Sequence, residues 1–415
     1  MSLNSVHRQS YFEFPVGTTL AIDQSHPADS SSASTNPPPE KKTALGRKRN
    51  FVVLEETAAP KTRKRKIDSS ATSPITPPLK FSNKKYIFGR LLGAGTHGEV
   101  IEASLQKQPF AIKKSLKKEK SEKEEWLVTM LNRSGAEPIV KFYHGFNEIK
   151  GDTTIYFSVY ERLDRVLSDF MYPIMTITTA RQIYSIVLQL MGALLVLKKH
   201  GVIHGDLTTN NVGIKLDANQ NLLVRLIDFG NSIKEPKFQK NYNHLMTTAT
   251  YRAPELNLNR VDPEIKSVKT LEELNPYKKR YEDTISYGVD MWGLGCIALE
   301  IYSGRFLEWK TDPGLTAGLK HKKFSSSEET ILSLALAVDL VGEIPENMWE
   351  GSWIKKIIKK EYLTPKEVFD RIGARIQWRL ADKSPLIESI IRQALKMDPA
   401  DRLQAENGMK ELIYC

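Results

Sequence analysis

The periodicity of apolar positions changes twice along the chain, near Tyr86 and again near Thr178. Before Tyr86 no sustained period of 2 or 3.6 appears, and Ser30–Pro39 and Ser69–Pro78 are rich in Ser, Thr and Pro, so residues 1–85 read as a disordered tail. From Tyr86 short apolar or alternating runs follow, Tyr86–Leu92, Val100–Ala103, Pro109–Lys114 and Ile155–Tyr160, which predict strands. A charged segment at Ser121–Leu131 interrupts them and predicts a helix. After Thr178, Ile183, Val187, Leu190, Leu194 and Leu197 recur at spacings of three and four, an apolar stripe along a helix. A hairpin over Val212–Leu216 and Leu222–Ile227 comes next, and beyond Ser286 the chain is mostly helical in pattern. A small β-rich half followed by a larger helical half predicts a bilobal α+β domain over 86–415, with an N-lobe at about 86–163 and a C-lobe at about 164–415.

Composition narrows the class. At 415 residues, 40% hydrophobic and 26% charged, the chain is neither fibrous nor wholly disordered. Its longest apolar stretches, Ile331–Val338 and Cys296–Ile301, fall well short of the ~20 residues a membrane span needs. The opening residues lack the basic-then-apolar order of a secretory signal. Two cysteines, Cys296 and Cys415, build neither a disulfide framework nor a cysteine-based zinc site. A cytosolic or nuclear protein is expected.

The net charge of +11 is unevenly placed: fourteen basic and seven acidic residues precede Tyr86. Most of the excess therefore sits in the tail, and a nucleic-acid-binding core is not expected. Arg47-Lys48-Arg49 and Lys61-Thr62-Arg63-Lys64-Arg65-Lys66 lie eleven residues apart. That spacing fits a bipartite nuclear import signal read by a carrier with acidic pockets, and the plainer alternative is a solvated charge run. The tail reading predicts nuclear location, with shuttling to the cytoplasm.

Three segments carry chemistry. Gly93-Ala94-Gly95-Thr96-His97-Gly98-Glu99-Val100 follows an apolar run, and its glycines let backbone lie close over phosphates. A dinucleotide fingerprint would open into a helix, but Val100–Ala103 continues as strand. Phe110-Ala111-Ile112-Lys113 then ends a strand on a lysine, whose amine needs an acidic partner from the helix beyond. Glu124 is chosen, because Leu127, Val128 and Leu131 fall at apolar spacings behind it, with Glu125 as the reserve. The third segment runs from His204-Gly205-Asp206-Leu207-Thr208-Thr209-Asn210-Asn211 to Asp228-Phe229-Gly230. Both acidic centres adjoin apolar residues, where an unpaired carboxylate is costly. Asp228 and Asn211 suit Mg²⁺, and Asp206 suits the proton of an attacking hydroxyl.

On these residues the chain resembles the eukaryotic protein kinase family, from about Tyr86 to Leu412. Ala253-Pro254-Glu255 matches the end of the activation segment, Asp290-Met291-Trp292-Gly293-Leu294-Gly295 a central-helix motif whose aspartate ties the catalytic loop, and Asp398–Arg402 a motif whose arginine pairs with Glu255. The resemblance implies ATP and Mg²⁺ as cofactors, protein substrates, and nucleotide contacts at Leu92, the glycine loop, Ala111 and Lys113. It also implies Tyr160 as gatekeeper and Glu161 to Leu163 as the hinge over adenine. Thr248, seven residues before Glu255, stands where serine/threonine kinases keep a threonine on the catalytic aspartate. Leu340–Met348 is similar to the CMGC group.

Three departures stand out. Gly205 replaces the arginine of His-Arg-Asp, and Thr208 replaces the lysine two residues beyond the aspartate; both are similar to small atypical kinases of the Bud and Rio type. Asn257 to Ser286 lengthens the stretch after Glu255 and reads as a solvated loop, with substrate docking as the alternative. The expected activity is an ATP-dependent serine/threonine protein kinase.

Overall fold

The alternating N-terminal half folds as one antiparallel sheet. The computed structural model describes residues 79–81, 84–95, 98–171, 179–234, 247–261, 271–304, 307, 326–363 and 384–414. The tail before Leu79, both basic clusters, Thr96, His97 and residues 235–246 lie outside them. Strands β1 (Leu79–Phe81), β2 (Lys84–Gly95), β3 (Gly98–Leu105), β4 (Gln108–Ser115), β5 (Phe142–Lys150) and β6 (Thr153–Glu161) line up in the order β1-β2-β3-β4-β6-β5. The sheet thus begins at Leu79, ahead of the Tyr86 boundary read from composition.

Alternation places Tyr86, Phe88, Ala103, Ile112, Ile155, Phe157 and Val159 in a single buried cluster. Rings interlock there, with Phe146 stacked 4.9 Å from Phe157. Strand β5 has no counterpart among the expected elements. It is an edge strand whose every second residue is only half-buried, and Gly145 and Asn147 dilute its apolar signal.

Helix α1 (Lys118–Arg133) is strongly charged, yet Glu124, Leu127, Val128 and Leu131 form its buried face. The last three belong to the same apolar cluster as the C-lobe helices and Phe229. In the C-lobe, β7 (Arg165–Val166) and α2 (Leu167–Met171) precede α3 (Ala180–Lys199). A capping box starts α3: Gln182 N donates to Thr179 Oγ1 at 3.2 Å, and Thr179 N donates back to Gln182 Oε1. By length and composition α3 is apolar enough to cross a membrane, but Ile183, Val187, Leu190, Leu194 and Leu197 are buried in the core. The stripe read from the sequence is therefore a packing face.

Short strands β8 (Val202–Ile203) and β11 (Ile233–Lys234) pair with each other, and β9 (Val212–Leu216) and β10 (Leu222–Leu226) form the expected hairpin. Helix α4 (Pro254–Asn259) starts with a proline at its first turn, and α6 (Gly288–Ser303) is buried along its whole length. Between them the solvated-loop reading needs correction. Residues Leu271–Thr284 form a helix, α5. Tyr281 is buried, and the Tyr277 ring meets Trp353 edge-on at 5.2 Å. Two tyrosines one turn apart anchor this helix despite Pro276 inside it and its many charges.

Candidate active site

Register in the sheet sets the roof of the cleft. Ala111 and Lys113 are two apart on β4 and so share a face, opposite Tyr160 and Ser158 of β6. Lys113 is buried, and its Nζ donates to Glu124 Oε2 at 2.7 Å and to Asp228 Oδ1 at 2.8 Å. Burial alone would lower the pKa of this amine. The charges of Glu124 and Asp228, and their hydrogen bonds, outweigh it and hold the pKa above the ordinary lysine value, so the amine stays cationic. The choice of Glu124 over Glu125 is the arrangement observed. Glu125 points elsewhere and accepts from Ser158 Oγ.

Asp228 follows β10 in left-handed backbone, φ 61° and ψ 72°, a region that Asp and Asn tolerate better than other side chains. Its carboxylate caps a short 3-10 turn at Phe229–Asn231. Phe229 is fully buried, with its ring 4.9 Å from His204. His204 Nε2 donates to Ile227 O, and Ile227 N donates to Asn211 O at 3.1 Å, which ties the Asn211 turn to the strand leading into Asp228.

Asp206 is held from several sides. Its Oδ1 accepts from both Thr248 N and Thr248 Oγ1 at 2.9 Å, its Oδ2 from Asn231 Nδ2 at 3.4 Å, and its carbonyl from Asn211 Nδ2 at 2.8 Å. With the amide nitrogen of Asn211 so engaged, its oxygen is the atom suited to a cation. Among the described residues no group of three His, Cys, Asp or Glu gathers as a metal cage. One carboxylate and one amide oxygen fit Mg²⁺, which takes few protein ligands and completes its shell with phosphates and water.

Deeper in the C-lobe, buried Asp290 of α6 accepts from His204 N at 2.7 Å and Gly205 N at 2.9 Å. Burial raises the pKa of its carboxyl, and the hydrogen bonds from those two N–H groups pull the other way. Glu255 meets Arg402 in a two-pronged pair, with both N–O distances 2.6 Å. Both pairings were expected from the motifs. A third was not: Tyr251 OH donates to Glu300 Oε2 at 2.6 Å and lies 2.8 Å from Thr209 Oγ1, bonding the activation segment to α6 and to the catalytic loop.

The glycine loop is the β2–β3 hairpin, closed where Gly95 faces Gly98. Gly98 has φ +130°, and a Cβ there would lie 2.0 Å from Lys114 O, so only glycine fits. Leu92, Gly93, Ala94, Glu99 and Val100 lie on the two strands near this tip; Thr96 and His97 fall outside the described residues. Glu161 and Leu163 are buried at the lobe junction, where Glu161 N donates to Lys141 O.

A family model described as protein kinase domain matches residues 86–412. The chain belongs to the protein kinase family. Similar proteins include cyclin-dependent kinase 9 of Bos taurus, 24% identical over 347 residues, covering 78% of each chain. A probable CTD kinase subunit alpha homolog of Encephalitozoon cuniculi is 28% identical over 335 residues, covering 76% of this chain and 80% of its own. Homeodomain-interacting protein kinase 1 of Caenorhabditis elegans is 30% identical over 233 residues, 54% of this chain and 24% of that one. The kinase has a CMGC-like character and is an ATP-dependent serine/threonine protein kinase.

Two residues read from the sequence as departures, Gly205 and Thr208, lie within the described structure. Gly205 has φ +77°, a backbone that favours glycine, and supplies no side chain beside Asp206. Thr208 is 2% exposed and places no cation near Asp206.

Proposed function

We propose that this kinase transfers phosphate through five residues with separate tasks. Lys113 grips the nucleotide phosphates, Glu124 holds Lys113, Asp228 and Asn211 hold Mg²⁺, and Asp206 orients the acceptor hydroxyl and takes its proton. The carrying observation is the amine of Lys113 fixed between carboxylates on α1 and after β10, with Asp206 braced by Thr248. Preset charges of this kind stabilise a transferring phosphoryl group without rearranging during the reaction. Mg²⁺, when bound, supplies the positive charge that offsets the phosphate oxygens. Leu92 to Val100 would cover the phosphates, Ala111 the base, and Glu161 and Leu163 the adenine edge. Phosphorylation of a degenerate peptide library by the full chain, with an Asp228→Ala control, tests the reading. Transfer to serine and threonine that disappears in the control is expected. Transfer that persists in the control removes Asp228 from the site.

Location is assigned to the tail. Both basic clusters precede Leu79, where the sheet begins, and the catalytic residues all follow it. A chain starting at Pro77 is expected to keep full kinase activity and to lose nuclear enrichment in cells. Unchanged nuclear enrichment of the shortened chain would count against an import carrier as partner of the tail.

Turnover is proposed to need no phosphate on the activation segment. Gly205 has nothing with which to hold one, and the residues eleven and twelve before Glu255 are His244 and Asn243. Lys234, a cation within this segment, donates to His200 O at 2.6 Å. Phosphatase treatment should change initial rates less than twofold, whereas a phosphate held by an arginine is a strong charge-assisted contact whose loss is easily seen. A rate that collapses on dephosphorylation and returns on rephosphorylation within 229–254 would overturn this.

A further inference from the structure

The reserve residue of the sequence reading, Glu125, has its own place in the structure. Three residues form one row across the sheet: Lys113 on β4 faces Ser158 on β6, and Ser158 faces Gly145 on β5. Facing residues in a ladder direct their side chains to the same side. Two consecutive glutamates of α1 descend on this row. Glu124 lands on Lys113, and Glu125 Oε1 accepts from Ser158 Oγ at 2.6 Å. Gly145 makes room for the second contact. A Cβ on it would lie 2.5 Å from both carboxylate oxygens of Glu125. The backbone of Gly145 is not left-handed, so space rather than conformation calls for glycine here.

The chemistry of this contact is unusual for its surroundings. Glu125 is half-buried, and desolvation raises the pKa of its carboxyl, with the Ser158 hydrogen bond opposing that shift and Glu124 adding to it. An apolar side chain would fill the same space with no such penalty. What a directed hydrogen bond adds over an apolar contact is a fixed rotation. Neighbouring residues on a helix are about 100° apart, so fixing Glu125 on Ser158 also fixes the direction in which Glu124 leaves the helix.

We infer that Glu125 is a positioning residue of this kinase: with Ser158, and in the notch left by Gly145, it sets the rotation of α1 that brings Glu124 onto Lys113. The inference rests on the proposed pairing of Glu124 with Lys113 and adds the device that maintains it. Glu125 itself touches neither nucleotide nor acceptor in this scheme. Its effect passes through Glu124, and that gives the device a signature.

The test is steady-state kinetics on the full chain with ATP varied, alongside thermal unfolding. Glu125→Ala and Ser158→Ala should each lower kcat/KM for ATP about tenfold, the scale of a small misplacement at a reacting site. The double variant should lose no more than either alone, since the two side chains act as one unit. Gly145→Ala should produce a similar loss, because its new Cβ displaces the Glu125 carboxylate. In a Glu125→Ala background the same glycine change should be harmless. Glu125→Gln keeps an acceptor for Ser158 and should recover most of the activity.

A role in stability alone predicts something different: each loss would follow the melting temperature, and Glu125→Ala would add its full effect to Glu124→Gln. In the positioning role, Glu125→Ala adds little once Glu124 is already disabled. Wild-type kinetics for Glu125→Ala, or full additivity with Glu124→Gln, overturns the inference. Lys113→Met, run in parallel, separates the two levels. If that variant stays active, the pairing with Glu124 is misassigned; if it is dead while Glu125→Ala is unaffected, only the positioning role fails.

Discussion

Asp228→Asn is expected to reduce phosphate transfer by about 10²–10³-fold or more while leaving the fold intact, and Lys113→Met to do the same at some expense of stability. Each removes a charge aimed at the transferring phosphoryl group, and loss of one preorganised contact of this kind has that scale. The two changes differ in what they leave behind. Asparagine matches aspartate in shape and tolerates the left-handed backbone found at position 228, so the turn into Phe229 survives. Methionine at 113 strands Glu124, whose side chain is only 6% exposed, without its cation. Its carboxyl must then take up a proton or draw in water, and a lower melting temperature accompanies the lost activity. Initial rates at saturating ATP and Mg²⁺, with circular dichroism of both variants, check this. Near-normal transfer by either one sinks the site assignment.

Arg402→Met should be strongly destabilising to the C-lobe, although it lies far along the chain from the catalytic residues. Its guanidinium holds both oxygens of Glu255 and also donates to the carbonyls of Gly288, Lys396 and Met397. Glu255 is 2% exposed, so removal of its partner leaves a charge that water cannot reach. Breaking a buried pair from one side typically costs about 3–5 kcal/mol. For a lobe of this size that corresponds to a fall in melting temperature of roughly 6–20 °C. Arg402→Lys should fall between, since an ammonium cannot reproduce the fork. Pairing Arg402→Met with Glu255→Gln should recover part of the loss. Melting of Arg402→Met within two or three degrees (about 1 kcal/mol) of the parent would contradict the account.

Residues whose chemistry depends on neighbours in the chain were legible from the sequence. The apolar spacing of Leu127, Val128 and Leu131 sufficed to choose Glu124, and the structure places it on Lys113. Asp206 and Asp228 stood out because carboxylates beside apolar strand residues need a purpose. Contacts between distant segments that no family motif marks left no such trace. Tyr251 and Glu300 are each ordinary in their local sequence, and only the packing of the activation segment on α6 brings them to 2.6 Å. Strand β5 escaped notice because an edge position relaxes the demand for alternation. Helix α5 escaped because its charges and Pro276 obscure the two tyrosines that hold it. Glu125 was visible only as a second choice, since its partner Ser158 and the space at Gly145 are set by strand register.

The shared amine of Lys113 has a mechanical consequence. Glu124 rides on the small lobe and Asp228 on the large one, so a single cation spans the jaws of the cleft. The two arms are unequal in their access to water: the Asp228 side chain is 31% exposed, against 6% for Glu124. Dissolved ions screen the wetter arm more effectively. Any separation of the lobes is expected to break the bond to Asp228 first, because Lys113 on β4 and Glu124 on α1 both belong to the small lobe. Raised ionic strength is therefore expected to loosen the hold of Asp228 on this amine before it loosens that of Glu124.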